Sequence, residues 1–169
     1  NGDVSNNGTP TRTTAVDMEA SKYRKETLDK GLTNPTSREY QEEDVLKAFA
    51  NGDAACALNW TYMYNMANDP KQSKVAGDVG VIPAPGETAG GASGVNGSMG
   101  MGIAKASAHP DQAWEYISYM TSQAVQNKYA KLSLPIWKSS YEDPAVQKDQ
   151  EQLIAAAKTS LNVMLSRPV

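Results

Sequence analysis

Apolar residues along this chain fall into short runs of two kinds, some spaced by three and four, others alternating. The opening carries neither: "NGD" and "NNGTP" are turn-forming, so the first dozen residues read as loop or hairpin. "TTAVDMEASKYRKETLDKGL" then places Ala20, Tyr23, Thr27 and Leu28 on one face. With Thr13 or Thr14 as N-cap and Gly31 as the stop, it predicts a helix over 14–30. "QEEDVLKAFANGDAA" predicts a second helix, with Val45, Leu46 and Phe49 towards the core, an acidic first turn and Asn51-Gly52 at its end. "AACALNW" (54–60) reads as a short buried strand leading into a short helix in "TYMYNMANDP" that stops before Pro70. "DVGVIPAPG" (78–86) reads as a strand entering a turn. "MGMGIA" (99–104) reads as another strand, since Met99, Met101 and Ile103 alternate with small residues.

The last third is helical. "HPDQAWEYISYMTSQAVQNKYAKL" starts with Pro110 in a first turn, takes its apolar face from Trp114, Tyr116, Ile117 and Met120, and restarts at Ser122 with Val125, Tyr129 and Leu132. Trp114 is assigned to the core. "SLPIWKSSYEDP" reads as a loop and "PAVQKDQEQLIAAAKTSL" as one final helix. The order α-α-β-α-β-β-α-α-α predicts an α/β architecture, a small mixed sheet flanked by helices. No internal repeat is visible.

Length and composition narrow the class. At 169 residues the chain is long enough for one domain with a core, and 40% apolar with 21% charged residues is ordinary for a globular protein. A net charge of −3 without a basic patch gives no footing for nucleic-acid binding. The apolar runs are too short to span a bilayer. The polar opening and missing initiator Met lead to the expectation that the chain is a piece of a longer protein. Cys56 is the lone cysteine and reads as a buried spectator thiol; it can make neither an internal disulfide nor a thiolate metal site. His109 is the lone histidine and, before Pro110, reads as a surface or capping residue.

The stretch "GGASGVNGSMGMGIA" (90–104) raises the question of chemistry. A phosphate loop needs a Gly-Lys pair, and none exists in the chain. Gly100 and Gly102 lack the third glycine of a dinucleotide fingerprint. No Gly-x-Ser-x-Gly elbow accompanies the single histidine. The carboxylate pairs Glu42/Glu43 and Glu142/Asp143 are better explained by helix starts than by glycoside cleavage. Catalysis and cofactors are therefore not expected, and a binding role remains. Glycines allow a ligand to approach the backbone, and Trp and Tyr offer flat faces with a polar handle. "NWTYMY" puts Trp60 and Tyr62 at a strand-to-helix junction, and "LPIWK" puts Trp137 in a loop. For both Trp60 and Trp137, ligand contact and core filling stay open.

Taken in order, "DVLKAFANGDAACALNWTYMYNMAND", "SKVAGDVGVIPAPG", the glycine-rich segment ending in "MGMGIA", "HPDQAWEYISYMTSQAVQNKYAKL" and "LPIWKSSYEDP" resemble the sugar-binding proteins of bacterial ABC importers. The maltose- and trehalose-binding branch is the most similar. The opening segment resembles the crossing into the second lobe, so the likeness covers nearly the whole chain. It implies one α/β lobe over 1–169, mostly the C-terminal lobe of a two-lobed periplasmic-binding-protein-like fold. It further implies an N-terminal lobe before Asn1 and a short helical segment after Val169. The partners implied are a sugar, that missing lobe and the ABC transporter's membrane permease, at an extracytoplasmic location, periplasmic or as a cell-surface lipoprotein. By resemblance, Trp60 stacks on a sugar ring and Tyr62 bonds a hydroxyl. Gly97-Ser98-Met99 matches the family's Gly-Gly-Trp, with Met99 replacing the stacking tryptophan. Trp137 stands where the family often carries an arginine. A carbohydrate-active enzyme fragment and a non-catalytic protein-interaction domain are the rival readings.

Overall fold

The computed structural model describes residues 5–6, 9–10, 15–86, 88 and 91–165. Two short strands, β1 (Ser5–Asn6) and β2 (Thr9–Pro10), pair antiparallel, Ser5 opposite Pro10 and Asn6 opposite Thr9. The first helix, α1, spans Ala15–Asp29. The capping residues proposed for it, Thr13 and Thr14, lie outside the described residues. Gly31, at φ +67°, ends it: its N–H donates to Leu28 O (3.0 Å), and the next N–H, Leu32, donates to Thr27 O (2.8 Å). This doubled closure around a left-handed glycine satisfies carbonyls that the helix leaves open.

Helix α2 (Glu42–Ala50) starts where the Asp44 carboxylate accepts from the Gln41 N–H, 3.1 Å, and stops at Gly52, φ +85°. Helix α3 is Tyr62–Ala67. Leu46 and Ala50 of α2 and Met63 and Ala67 of α3 form one buried cluster, flanked by Phe49, Tyr62, Met66 and Val79. The four-residue spacing on each helix makes these pairs stack on one face.

A second cluster is built from the C-terminal third. Here α4 (Pro110–Thr121) and α5 (Gln123–Lys128) precede a 3₁₀ turn at Lys138–Glu142, followed by α6 (Pro144–Gln147) and α7 (Glu151–Val163). Ala130, Tyr141, Val146, Ile154 and Ala157 are buried together, with Leu134 against them. A polar link joins the two clusters. The Asn65 amide of α3 donates to Lys131 O (2.8 Å) and to Gln150 Oε1 (3.1 Å), and the fully buried Gln150 donates onward to Val146 O (2.6 Å).

Several expectations are corrected. The strands expected at 54–60, 78–86 and 99–104 do not form. Alternation decides which way side chains point, but a strand also needs a neighbour to complete its ladder. Among the described residues these stretches and their surroundings find only isolated bridges, Pro85 to Ala92 and Val95 to Leu165, so no mixed sheet is built. Val79 packs against the α2–α3 cluster, but others of their apolar side chains stand outward: Leu58 is 79% exposed and Met99 97%. Cys56, in the first of these stretches, is exposed rather than buried. Trp114 is 62% exposed and not a core residue. The inward stripe of α4 is Ala113, Ile117 and Met120, which are half-buried, and Trp114 sits one residue, about 100°, off that stripe. Tyr129 and Leu132 lie beyond the end of α5 and are exposed. The loop at 133–144 contains the 3₁₀ turn, and the single final helix is broken in two. Asp149 breaks it at φ +64°, a conformation aspartate tolerates, and its carboxylate accepts from Lys131 Nζ at 2.8 Å.

Candidate ligand-binding site

The first turn of α2 holds the junction that precedes α3. Asn59 donates its amide to Glu42 O (2.9 Å) and accepts the Trp60 N–H on Oδ1 (2.7 Å), which fixes the turn. The Trp60 indole N–H donates to Glu42 Oε1 at 3.2 Å. The Tyr62 hydroxyl donates to Glu43 Oε1 at 3.0 Å. Adjacent carboxylates thus each hold one of the two aromatics. Tyr62 is half-buried against the α2–α3 cluster, whereas Trp60 keeps 50% of its surface exposed. With its N–H engaged, Trp60 offers the flat ring face. With its proton given to Glu43, Tyr62 offers oxygen lone pairs to an incoming hydroxyl.

The electrostatics agree with this arrangement. Glu42 is held below the usual carboxylate range by its own backbone N–H and then by the indole N–H. Tyr62 is raised above the ordinary phenol value, first by desolvation and then by the bond to Glu43 and that group's charge. A raised pKa keeps the proton on the phenol at neutral pH, so the donation to Glu43 persists there. Glu43→Gln removes the anion, and Tyr62 is then expected to titrate at a lower pH than in the unaltered chain. NMR titration of the Tyr62 ring checks this, and an unchanged titration would show that Glu43 does not act on it.

The glycine-rich segment is tethered at Asn96, whose N–H donates to Leu165 O at 2.8 Å. The Asn96 side chain folds forward: Oδ1 accepts the Ser98 N–H (2.9 Å) and the Ser98 hydroxyl (2.6 Å). The Ser98 amide is therefore occupied within the loop. Trp137 is held by its indole N–H on Thr121 O (2.7 Å), at the end of α4, and remains 45% exposed. The neighbouring backbone is pinned from both sides. Ile136 N–H donates to Gln126 Oε1 (3.3 Å), and the buried Tyr141 hydroxyl donates to Pro135 O (2.9 Å).

The structure brings Trp60 and Tyr62 together. No hydrogen bond among the described residues links them to Gly97, Ser98 and Met99 or to Trp137. Two grooves lie elsewhere, one lined by Arg24, Lys25, Leu28 and Arg38 along α1, the other by Tyr40, Asp44 and Lys47 beside α2. Both are open to solvent and carry none of these aromatics. The anchoring of Trp60 and Tyr62 by Asn59, Glu42 and Glu43 is not legible in the sequence, because contacts across seventeen to nineteen residues leave no periodic signal. His109 is exposed at the N-cap position of α4, without a side-chain bond to the helix. Among the described residues no group of three His, Cys, Asp or Glu could hold a metal, and no helix is long and apolar enough to cross a membrane.

Comparison with known proteins agrees with this picture of the fold. A solved structure of maltose-bound T. maritima MalE3 is similar over 99% of this chain, with a TM-score of 0.79 and 24% sequence identity. That likeness shows the fold. The chain spans 44% of the length of that protein. The family described as bacterial extracellular solute-binding protein matches residues 1–127. With 127 of its 169 residues matched, the chain belongs to the bacterial extracellular solute-binding protein family.

Proposed function

We propose that this chain is the C-terminal lobe of a two-lobed protein that captures a sugar outside the cytoplasm and hands it to the membrane permease of an ABC importer. The observation that carries this reading is the half-exposed Trp60 ring fixed edge-on by Glu42, beside Tyr62 on Glu43. It sits on a chain of the solute-binding family whose fold is that of a maltose-bound protein. The spanned 44% of that protein is the share expected of one lobe. The ligand class favoured is a di- or oligosaccharide, since an uncharged ring with many hydroxyls suits a stacking face, phenolic oxygen and glycine amides.

The work done is binding, without catalysis or cofactor. Sugar settles on one lobe, the second lobe closes over it, and the closed form docks on the permease. Selectivity comes from buried hydroxyls, each mispaired one costing about 1–3 kcal/mol. Gly97, Ser98, Met99 and Trp137 are proposed as further contacts, with Met99 and Trp137 setting which sugar is accepted.

The reading is tested by adding a panel of oligosaccharides to the two-lobe protein. Tryptophan fluorescence is expected to change with one of them, and that sugar is expected to be recovered intact. Cleaved sugar would instead indicate an enzyme. Flat fluorescence across the panel would contradict the sugar assignment.

A further inference from the structure

The sequence contains four Asn-Gly pairs, and two of them, Asn51-Gly52 and Asn96-Gly97, lie in described structure. Their surroundings differ in the features that control one reaction. We propose that Asn96-Gly97 is a self-modifying site, at which the Asn96 side-chain amide is lost through a cyclic imide with Ser98 assisting. This goes beyond the reading of the chain as a sugar-binding lobe and does not depend on it.

The chemistry needs only water. The Gly97 backbone nitrogen gives its proton to solvent base and attacks Cγ of Asn96. A new N–Cγ bond forms, the Cγ–Nδ2 bond breaks, and the amide nitrogen takes up a proton and leaves as ammonia. Water then opens the five-membered imide at either carbonyl. One opening yields aspartate, the other isoaspartate, in which the main chain runs through the side-chain carbon. Nothing is oxidised or reduced.

Three observations favour this at Asn96. Gly97 has no Cβ to obstruct the approach of its nitrogen to the side chain. Among the described residues its N–H donates to no partner. The developing negative charge falls on Asn96 Oδ1, where the Ser98 N–H (2.9 Å) and hydroxyl (2.6 Å) are already aimed. Donors preorganised at the atom that gains charge lower a barrier. The tether from Asn96 N–H to Leu165 O holds the turn, and Ser98 and Met99 are open to water.

Asn51-Gly52 shares the glycine but lacks the other two features. Asn51 is the C-cap of α2 with helical backbone angles, φ −78° and ψ −13°. The Gly52 N–H is engaged on Phe49 O at 2.9 Å. Attack there must first break the end of the helix.

The test is peptide mapping by mass spectrometry after incubating the purified protein at mildly alkaline pH. Asn96 is expected to convert about tenfold faster than Asn51, a ratio equivalent to about 1.4 kcal/mol in barrier height. Gly97→Ala is expected to suppress conversion at Asn96 and leave Asn51 unchanged. Ser98→Ala, which keeps the N–H and removes the hydroxyl, is expected to slow Asn96 several-fold. In denaturant the two sites should converge, because the difference is imposed by the fold. Conversion of Asn51 as fast as Asn96 in the folded protein, or a Ser98→Ala variant that reacts as fast as the parent, would overturn the proposal.

Discussion

Replacing Trp60 by alanine is expected to weaken sugar binding by the two-lobe protein about thirtyfold or more, the roughly 2 kcal/mol that defines an interface hot spot. Trp60 is half-exposed, and its one polar atom is already used on Glu42. A ring held that way contributes its face to whatever lies on it and little to the core. Folding stability is therefore expected to change by no more than about 0.5 kcal/mol, the range for surface substitutions. Calorimetric titration gives the first quantity and urea unfolding the second. Unchanged affinity would remove Trp60 from the site. A large loss of stability would instead make Trp60 a structural residue.

Ile154→Ala is expected to have the opposite profile, destabilising the chain by about 2–5 kcal/mol through lost burial and a cavity. Ile154 is 3% exposed and packs with Ala130, Tyr141, Val146 and Ala157, the cluster on which the 3₁₀ turn, α6 and α7 converge. For a domain of this size such a loss is a large part of the total stability. Trp114→Ala is the useful contrast: it removes a larger side chain, yet one that stands in solvent on α4, and is expected to cost far less. Urea unfolding of both variants orders them. Equal losses would mean that the outer face of α4 is covered in the protein as it exists.

Where helices form was legible because helices carry their own punctuation. Gly31 and Gly52 mark two ends by their left-handed backbone, and Pro110 opens α4. Asp149 was missed because an aspartate in that conformation has no signature in a run rich in Ala, Gln and Lys. Strands are a different matter, since their hydrogen bonds are made with another segment. The alternation of Met99, Met101 and Ile103 is present, but the neighbour that would turn it into a sheet is not found among the described residues. The same limit explains Cys56 and Trp114: an apolar run predicts what wants burial, not what covers it. For the site, Trp60 and Tyr62 were legible as aromatics at a junction, whereas their anchoring by Glu42 and Glu43 was not. Helix-start carboxylates have a sufficient local explanation, and only folding showed the second use. The bond between Asn65 and the buried Gln150 was invisible for a related reason, since the two lie eighty-five positions apart.

The central claim is that Trp60 and Tyr62 belong to a sugar site on one lobe of a solute-binding protein. Calorimetric titration of the two-lobe protein with maltose, trehalose, sucrose, longer maltodextrins and common monosaccharides tests it most directly. Saturable binding of one of these, lost in the Trp60→Ala variant, is the predicted result. Absence of heat across the whole panel from a correctly folded protein would contradict the sugar assignment and direct the site to a different class of solute.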